Sequence, residues 1–327
     1  MKIGNLIFDK PLMLAPMEGV TDISFRLICK RLGADLTFTE FVNAEGLTRK
    51  NDKTKKKMFF LEEERPFGIQ IYGGNSNSME TATKIAEELN PDIIDVNAGC
   101  WVKNVVGSGA GAGLLRDLEK LKLVVSKVVN ATKLPVTVKT RLGWDFESIQ
   151  IIEVAKMLED IGVASLTLHC RTRTQAHSGV PDYSWIEKIK NVVKIPIVVN
   201  GGLNTVFDVA KVFDETNCDG VMIARAAINH PWIFREIKNY FKTKNLCEVN
   251  IDERIKTFIE HLNLSIEIKG LKRGVVEIRK HYAGYLKGLH GNAKLRNELM
   301  TYVDSHKIID TLELYKENYY SKNLVET

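Results

Sequence analysis

Cys100 ends the run Asp95-Val-Asn-Ala-Gly-Cys100, where an apolar stretch gives way to a loop. A thiol in that position can donate a proton, attack an electrophile or bind metal. No second Cys and no HxH or HExxH stands nearby, so a metal site is not expected. A Cys packed beneath a loop is the plain alternative. Lys139 and Arg141 alternate along Val136-Thr-Val-Lys-Thr-Arg141 and so face one side, where they can balance an anionic cofactor. A lysine inside a core without an anion is costly, because buried charge needs compensation. A solvated strand end is the competing reading, and it suits Arg141 better than Lys139.

His169-Cys-Arg171 follows the next apolar run and leads into the polar loop Thr172–Gly179. A lone His is more often structural, and the company of Lys139 reverses that preference. Asn200-Gly201-Gly202 and Ala224-Arg225 end two later runs. Backbone N–H groups there can cradle a phosphate, and glycine lets the backbone come close to its oxygens. A tight turn explains a Gly pair equally well outside that context. The glycines of Gly107-Ser-Gly-Ala-Gly-Ala-Gly113 lack the GxGxxG spacing of a dinucleotide site and do not directly follow a strand. They are read as a tight loop.

These residues need elements to hold them. Eight short apolar runs predict strands at Leu12–Ala15, Leu36–Thr39, Phe67–Ile71, Asp92–Val96, Val136–Lys139, Ser165–Leu168, Ile197–Val199 and Gly220–Ile223. Helix-length segments lie between most of them, including Ser78–Leu89, Leu114–Val129, Phe146–Ile161 and Asn204–Phe213. Alternating strands and helices imply a parallel sheet with right-handed crossovers. Eight repeats favour a (β/α)8 TIM barrel over its rival, a doubly wound open sheet. Pro16-Met17-Glu18, Glu40, Gln70, Cys100, Lys139, His169, Asn200 and Arg225 all fall at or just past a strand's C-terminal end. A TIM barrel carries its active site at that end, and the loops after strands seven and eight usually hold phosphate.

The last third of the chain differs. Ile255, Phe258, Ile259, Leu262 and Ile266 recur at helical spacing, and residues 272–288 and 292–304 suggest two more helices broken by Gly288 and Gly291. The α/β fold expected is therefore a barrel over residues 1–240, a linker over Lys238–Asn250, and a smaller all-helical domain over residues 251–327. Residues 251–300 hold ten Lys/Arg against six Asp/Glu, which is +4 of the chain's net +5. Arg273, Lys280, Lys287 and Lys294 are spaced by seven, with the first three expected on one helix face and Tyr282, Tyr285, His281 and His290 interleaved. Arg279 and Arg296 belong to the same basic set. With the run Arg49–Lys57, this suggests a polyanionic partner, although either run alone is usually a solvated face.

The whole composition sets broader bounds. At 327 residues and 44% apolar content, the chain can bury a large core. Every apolar run breaks well before the roughly 18 residues of a membrane span, and residues 1–13 lack the features of a secretory signal. Cytoplasmic location is expected. Five dispersed cysteines argue against a disulfide framework and a structural zinc.

Six ordered motifs, Ala15-Pro-Met-Glu-Gly-Val-Thr-Asp22 with Phe25-Arg26, Gln70-Ile-Tyr-Gly73, Asp95–Cys100, Val138–Trp144, His169–Arg173 and Asp219–Arg225, resemble the tRNA-dihydrouridine synthase family. Arg279-Lys-His-Tyr282 with Lys287-Gly288 is similar to its bacterial B-type branch. The resemblance covers nearly the whole chain. It implies an FMN-containing barrel followed by a helical tRNA-binding domain, expected to act as a monomer. By matching position, Pro16, Met17 and Glu18 would line the flavin, and Gln70 would hydrogen-bond its ring. Lys139 would sit near the ring's N1/O2 edge, His169 would border ring and phosphate, and Asn200, Gly201, Gly202, Ala224 and Arg225 would hold the phosphate. Arg273, Arg279, Lys280, Lys287, Lys294 and Arg296 would contact tRNA. Cys100 would be the general acid that protonates uracil C5 after hydride reaches C6 from flavin N5. NADPH or NADH would reduce the flavin transiently, since no Rossmann module is present.

Four positions depart from the family pattern. Ala98 replaces Met and is expected to leave a smaller side chain near the ring, and Trp101 replaces Pro, removing a φ constraint. Gly202 stands where Asp is common and Ala224 where Gly is common. The other readings are an FMN-dependent dehydrogenase of a free pyrimidine, a flavin-retaining tRNA-binding protein with little turnover, and an unrelated phosphate-binding barrel such as an isomerase.

Overall fold

A computed structural model describes residues 1–323 of the chain. Eight parallel strands form a ring: β1 (Leu12–Leu14), β2 (Thr37–Phe38), β3 (Phe67–Tyr72), β4 (Ile93–Ala98), β5 (Val136–Arg141), β6 (Ser165–His169), β7 (Ile197–Asn200) and β8 (Gly220–Ile223). Each pairs with its neighbour in sequence, and β8 pairs with β1. The ring closes between β1 and β2 through one bridge, Met13 to Leu36, with the Leu14 N–H donating to the Leu36 carbonyl at 3.0 Å. The expected (β/α)8 barrel is therefore the observed fold, with each of the eight strands within two residues of its expected bounds. A two-residue extension, Val42–Asn43, lengthens the sheet beside Ile71–Tyr72. A hairpin of Lys2–Ile3 and Leu6–Ile7, which has no sequence signal beyond three apolar residues, puts Ile3 into the barrel's inner cluster.

The crossover helices are α1 (Ile23–Arg31), α2 (Ser76–Glu87), α3 (Leu118–Ala131), α4 (Ile151–Ile161), α5 (Ser184–Lys190), α6 (Val206–Thr216) and α7 (Ile233–Thr243). Their starts are set by caps: Asp22, Asn75, Asp117 and Thr205 each accept a backbone N–H of the first turn. The cap at Thr205 places the start of α6 two residues later than the sequence suggests. The Gln150 end likewise starts α4 at Ile151, not Phe146, because residues 145–148 are held in a turn by Asp145 and Ser148.

Strand alternation divides the barrel into two environments. Leu14, Ile69, Ile94, Val96, Ala98, Val138, Leu168, Val199 and Ile223 face outward into the main core under the helices. Met13, Phe38, Ile93, Val198 and Met222 face inward and fill the lower barrel. Gly68 permits this filling, since a Cβ there would stand 2.4 Å from the Phe38 ring. Above that apolar plug, the inward positions are Gln70, Asp95, Asn97, Thr137, Lys139, Arg141, Thr167, His169 and Asn200, all buried or nearly so.

Four helices complete the chain: α8 (Ile251–Lys269), α9 (Leu271–Tyr285), α10 (Asn292–Leu299) and α11 (Ser305–Asn323). They enclose a separate apolar cluster around Phe258, Leu262, Ile278, Tyr282, Tyr285, Leu299 and Leu312, into which Trp232 also packs. The structure departs from three expectations. Residues 238–243 are helical, not linker, because the apolar face of α7 extends through Phe241 onto the barrel. The segment 272–288 stops as helix at Tyr285, with Gly288 at φ +80°, so Lys287 leaves the face shared by Arg273 and Lys280. His281, Tyr282 and Tyr285 are buried in the helical core, not displayed among the cations. No helix of the described residues is long and apolar enough to cross a membrane.

Candidate active site

The mouth at the C-terminal ends of the strands opens on a cavity of about 340 Å³. Strand register assembles its walls. Lys139 on β5 lies beside Asn97 on β4, Arg141 beside His169 on β6, and His169 beside Asn200 on β7. Cys100, Pro16, Met17, Glu18, Lys139, His169, Asn200, Gly201, Gly202, Ala224 and Arg225 all line it. Of the residues singled out for the barrel, Glu40 does not, nor does Gln70. Gln70 is fully buried below the cavity floor, with its amide engaged on both sides.

That burial makes Gln70 part of a polar chain. Asp95 accepts from the Thr137 hydroxyl and from Gln70 Nε2 at 2.5 Å. Gln70 Oε1 accepts from Asn97 Nδ2 at 2.8 Å, and Asn97 Oδ1 accepts the N–H groups of Gly99 at 3.1 Å and Cys100 at 2.9 Å. Because a carboxylate only accepts, the chain fixes each amide's orientation in turn. The Cys100 carbonyl is held from the other side by the Ala112 N–H at 2.9 Å. The tight approach depends on Gly111 at φ +56°, where a Cβ would stand 2.8 Å from the Cys100 oxygen. The glycine-rich segment thus packs the thiol's loop, as read from the sequence.

Arg141 was expected to be the more solvated of the β5 cations, and the structure reverses this. Its side chain is buried, donating to the carbonyls of Gly99 at 2.8 Å, Thr172 at 2.9 Å and Ala176 at 2.9 Å. It ties the Cys100 loop to the loop after β6. Lys139 Nζ donates to Asn200 Oδ1 at 3.1 Å, while Asn200 Nδ2 donates to the Met222 carbonyl at 2.7 Å. Burial and then the Arg141 charge bring Lys139 down to about 8. Burial pushes the Cys100 thiol up, so it is protonated at neutral pH. Burial and the surrounding cations hold His169 well below its usual range, as a neutral ring. Asp95 is raised to about 6 by burial, against the hydrogen bonds from Thr137 and Gln70.

The lining is strongly cationic: Lys139, Arg141, Arg171 and Arg225 contribute, and its one carboxylate, Glu18, is paired with Lys57. Gly201 and Gly202 take φ +104° and +77°. A Cβ on Gly201 would stand 2.6 Å from His169 Cδ2, and one on Gly202 2.6 Å from Pro181 Cγ. Ala224 has a negative φ, −117°, outside the left-handed region that Gly201 and Gly202 occupy. A cavity ringed by positive charge, with a buried lysine lacking a carboxylate partner, fits an anionic ligand. A flavin phosphate with its electron-poor ring meets that description.

Ala98 is corrected: alternation turns its side chain outward into the main core, away from the cavity. Arg171, His177, Trp101 and Asn97 line the cavity without having been assigned a role from sequence. Their signal was the polar run after each strand, which names a loop but not which of its side chains turn inward.

The basic residues of the helical region divide in two. Arg273 pairs with Glu277, Arg279 donates to the Tyr302 carbonyl at 2.9 Å, and Lys280 reaches the Gly19 carbonyl and, at 3.6 Å, Asp22. Lys287, Lys294 and Arg296 are exposed and form no ion pair among the described residues. Lys280 thus bridges α9 to the first barrel loop, alongside Lys269–Asp22 at 2.6 Å and Ser24–His261 at 3.4 Å.

Comparison with known proteins gives a consistent result. The family model described as dihydrouridine synthase matches residues 13–320. A protein of Aquifex aeolicus named probable tRNA-dihydrouridine synthase is 36% identical over 309 residues, covering 93% of this chain and 96% of its own length. The tRNA-dihydrouridine synthase B of Escherichia coli K12 is 34% identical over 320 residues, covering 98% of this chain and 100% of its own. Among solved structures, a morphinone reductase variant in complex with tetrahydroNAD superposes with a TM-score of 0.57 at 13% identity, covering 77% of this chain and 92% of that one. The old yellow enzyme homologue of Zymomonas mobilis gives 0.52 at 15%, covering 77% and 94%. At such identities these last two speak for the barrel fold alone.

Proposed function

This chain belongs to the dihydrouridine synthase family, and from that premise we propose that it is a flavin-dependent oxidoreductase that converts tRNA uridines to 5,6-dihydrouridine, with Cys100 as proton donor. The observation that carries the reading is Cys100 at the rim of a cationic cavity, on a loop whose N–H and carbonyl are held by Asn97 and Ala112. When bound there, FMN supplies the hydride for uracil C6.

The chain's own residues supply the rest. Gly201, Gly202 and Ala224 offer open backbone for a phosphate, with Arg225 and Arg171 as its counter-charges. Pro16, Met17, Glu18 and Asn200 complete the wall, and neutral His169 borders it without adding charge. Lys139 provides a desolvated cation whose field favours negative charge in the cavity, an effect stronger there than in water. Cys100 donates its proton to C5 and is left as thiolate, to be reprotonated from solvent. Gln70 acts through Asn97, and not on the ring, as a positioning residue. A nicotinamide dinucleotide, NADPH or NADH, is the expected transient reductant.

The division of labour belongs to the same proposal. Residues 1–240 form the catalytic unit, and residues 251–327 the tRNA-binding unit, its last four residues lying outside the described ones. Lys287, Lys294 and Arg296 are among its exposed cations without an ion pair among the described residues, and Arg273, Arg279 and Lys280 contribute from paired positions. Those unpaired cations favour a polyanion over a free pyrimidine as substrate. The test is direct: unmodified tRNA incubated with the enzyme and NADPH should yield uridines two daltons heavier after digestion. Unchanged uridine with intact flavin would refute the reading.

A further inference from the structure

Trp101 stands one residue past the thiol, lines the cavity and keeps 37% of its surface exposed. The chain has four tryptophans. Trp144 carries Arg116 and Arg173 over its ring, Trp185 carries Lys188, and Trp232 carries Arg254. Among the described residues, no cation covers Trp101. It meets one ring only: His177, at 5.5 Å and 84°, an edge contact. His177 in turn lies 6.2 Å from His169 at 29°, so aromatic rings run from the cavity wall to its rim. The backbone beneath is anchored, because Asn97 holds the Cys100 N–H and Ala112 the Cys100 carbonyl.

A large, partly exposed ring beside a concave site, on an anchored backbone and with a second ring against its edge, is suited to a planar partner. Every nucleobase presents such a face, and aromatic side chains are the usual platform for unstacked bases. We infer that Trp101, backed by His177, is the surface on which a nucleobase of the RNA substrate stacks at the cavity mouth. The inference rests on the RNA reading above. It makes Trp101 a substrate-binding residue beside the thiol.

The test uses flavin-loaded full-length protein and an unmodified tRNA transcript. Titration should quench tryptophan emission in the wild type, and Trp101→Phe should lack most of that quench. Trp101→Ala should raise the KM for tRNA by about tenfold while kcat falls less than about threefold, since base stacking on an aromatic is of that size. Trp101→Phe should recover most of the KM, and the KM for NADPH should not move. An unchanged tRNA KM in Trp101→Ala, a quench that persists in Trp101→Phe, or a shift in the NADPH KM instead would overturn the inference. Quenching by tRNA without any dihydrouridine would sink the reaction and leave the stacking intact. Dihydrouridine formed by Trp101→Ala at wild-type KM would do the reverse.

Discussion

The Cys100 backbone N–H donates to Asn97 Oδ1 at 2.9 Å, so a side chain inside the barrel sets where the thiol's loop leaves the strand. Asn97 is oriented by Gln70, Gln70 by Asp95, and Asp95 is buried at 1% exposure. A carboxylate two residues below the mouth thereby aims a thiol it does not touch.

Asp95→Ala removes the acceptor that holds Gln70 Nε2, freeing Gln70 and, through it, Asn97 to turn over. Misplacing a reacting group by about 1 Å can cost about 100-fold. We expect kcat for tRNA to fall by about 10- to 100-fold, with flavin absorbance of the purified protein retained. Wild-type kcat in this variant would show that the chain of amides does not aim the thiol.

Lys139 predicts a pH dependence. Burial and the Arg141 charge lower it to about 8, so its cation is present below that pH and lost above it. Cys100, pushed upward, remains a thiol beyond that point. The alkaline limb of kcat/KM should therefore have a midpoint near 8 and belong to Lys139. Lys139→Met should be slow and should lose that limb. A limb unmoved in this variant would assign it to another group.

Glycine at 201 is required twice, by φ +104° and by His169 at 2.6 Å from a Cβ. Gly201→Ala should lower stability by about 1–2 kcal/mol from the backbone alone and weaken flavin retention. Ala224→Gly, at a negative φ and with no Cβ to add, should retain flavin as the wild type does. Thermal melts and absorbance titration with FMN distinguish the two.

For RNA, Lys287, Lys294 and Arg296 should behave differently from Lys280. Replacing the three exposed residues by Ala should reduce the slope of log K against log salt by about 2 to 3, following counterion release. Lys280→Ala removes a tie to Gly19 and Asp22, and should show chiefly as a lower melting temperature.

Much of this was legible in the sequence, and the gaps have physical causes. Strand positions follow from short apolar runs, and their polar ends named most of the cavity wall. Alternation placed Lys139 and Arg141 on one face. It could not rank their burial, which depends on carbonyls from the loops at Gly99, Thr172 and Ala176. Gln70 was assigned to the ring by the family resemblance alone. Its depth follows from register with Asp95, a three-dimensional fact. The same alternation would have turned Ala98 outward had its phase been counted from Asp95. The cations of the helical region were legible as composition, yet Arg279 and Lys280 are committed to carbonyls that only packing brings near.

The central claim is that Cys100 supplies the proton in uridine reduction. Its most direct measurement is the rate of the two-dalton gain on tRNA uridine by pre-reduced enzyme, wild type against Cys100→Ala. A general acid contributes about 10²- to 10⁴-fold, so the variant should be slower by at least about 100-fold while still binding tRNA and flavin. A variant that forms dihydrouridine at the wild-type rate would contradict the assignment.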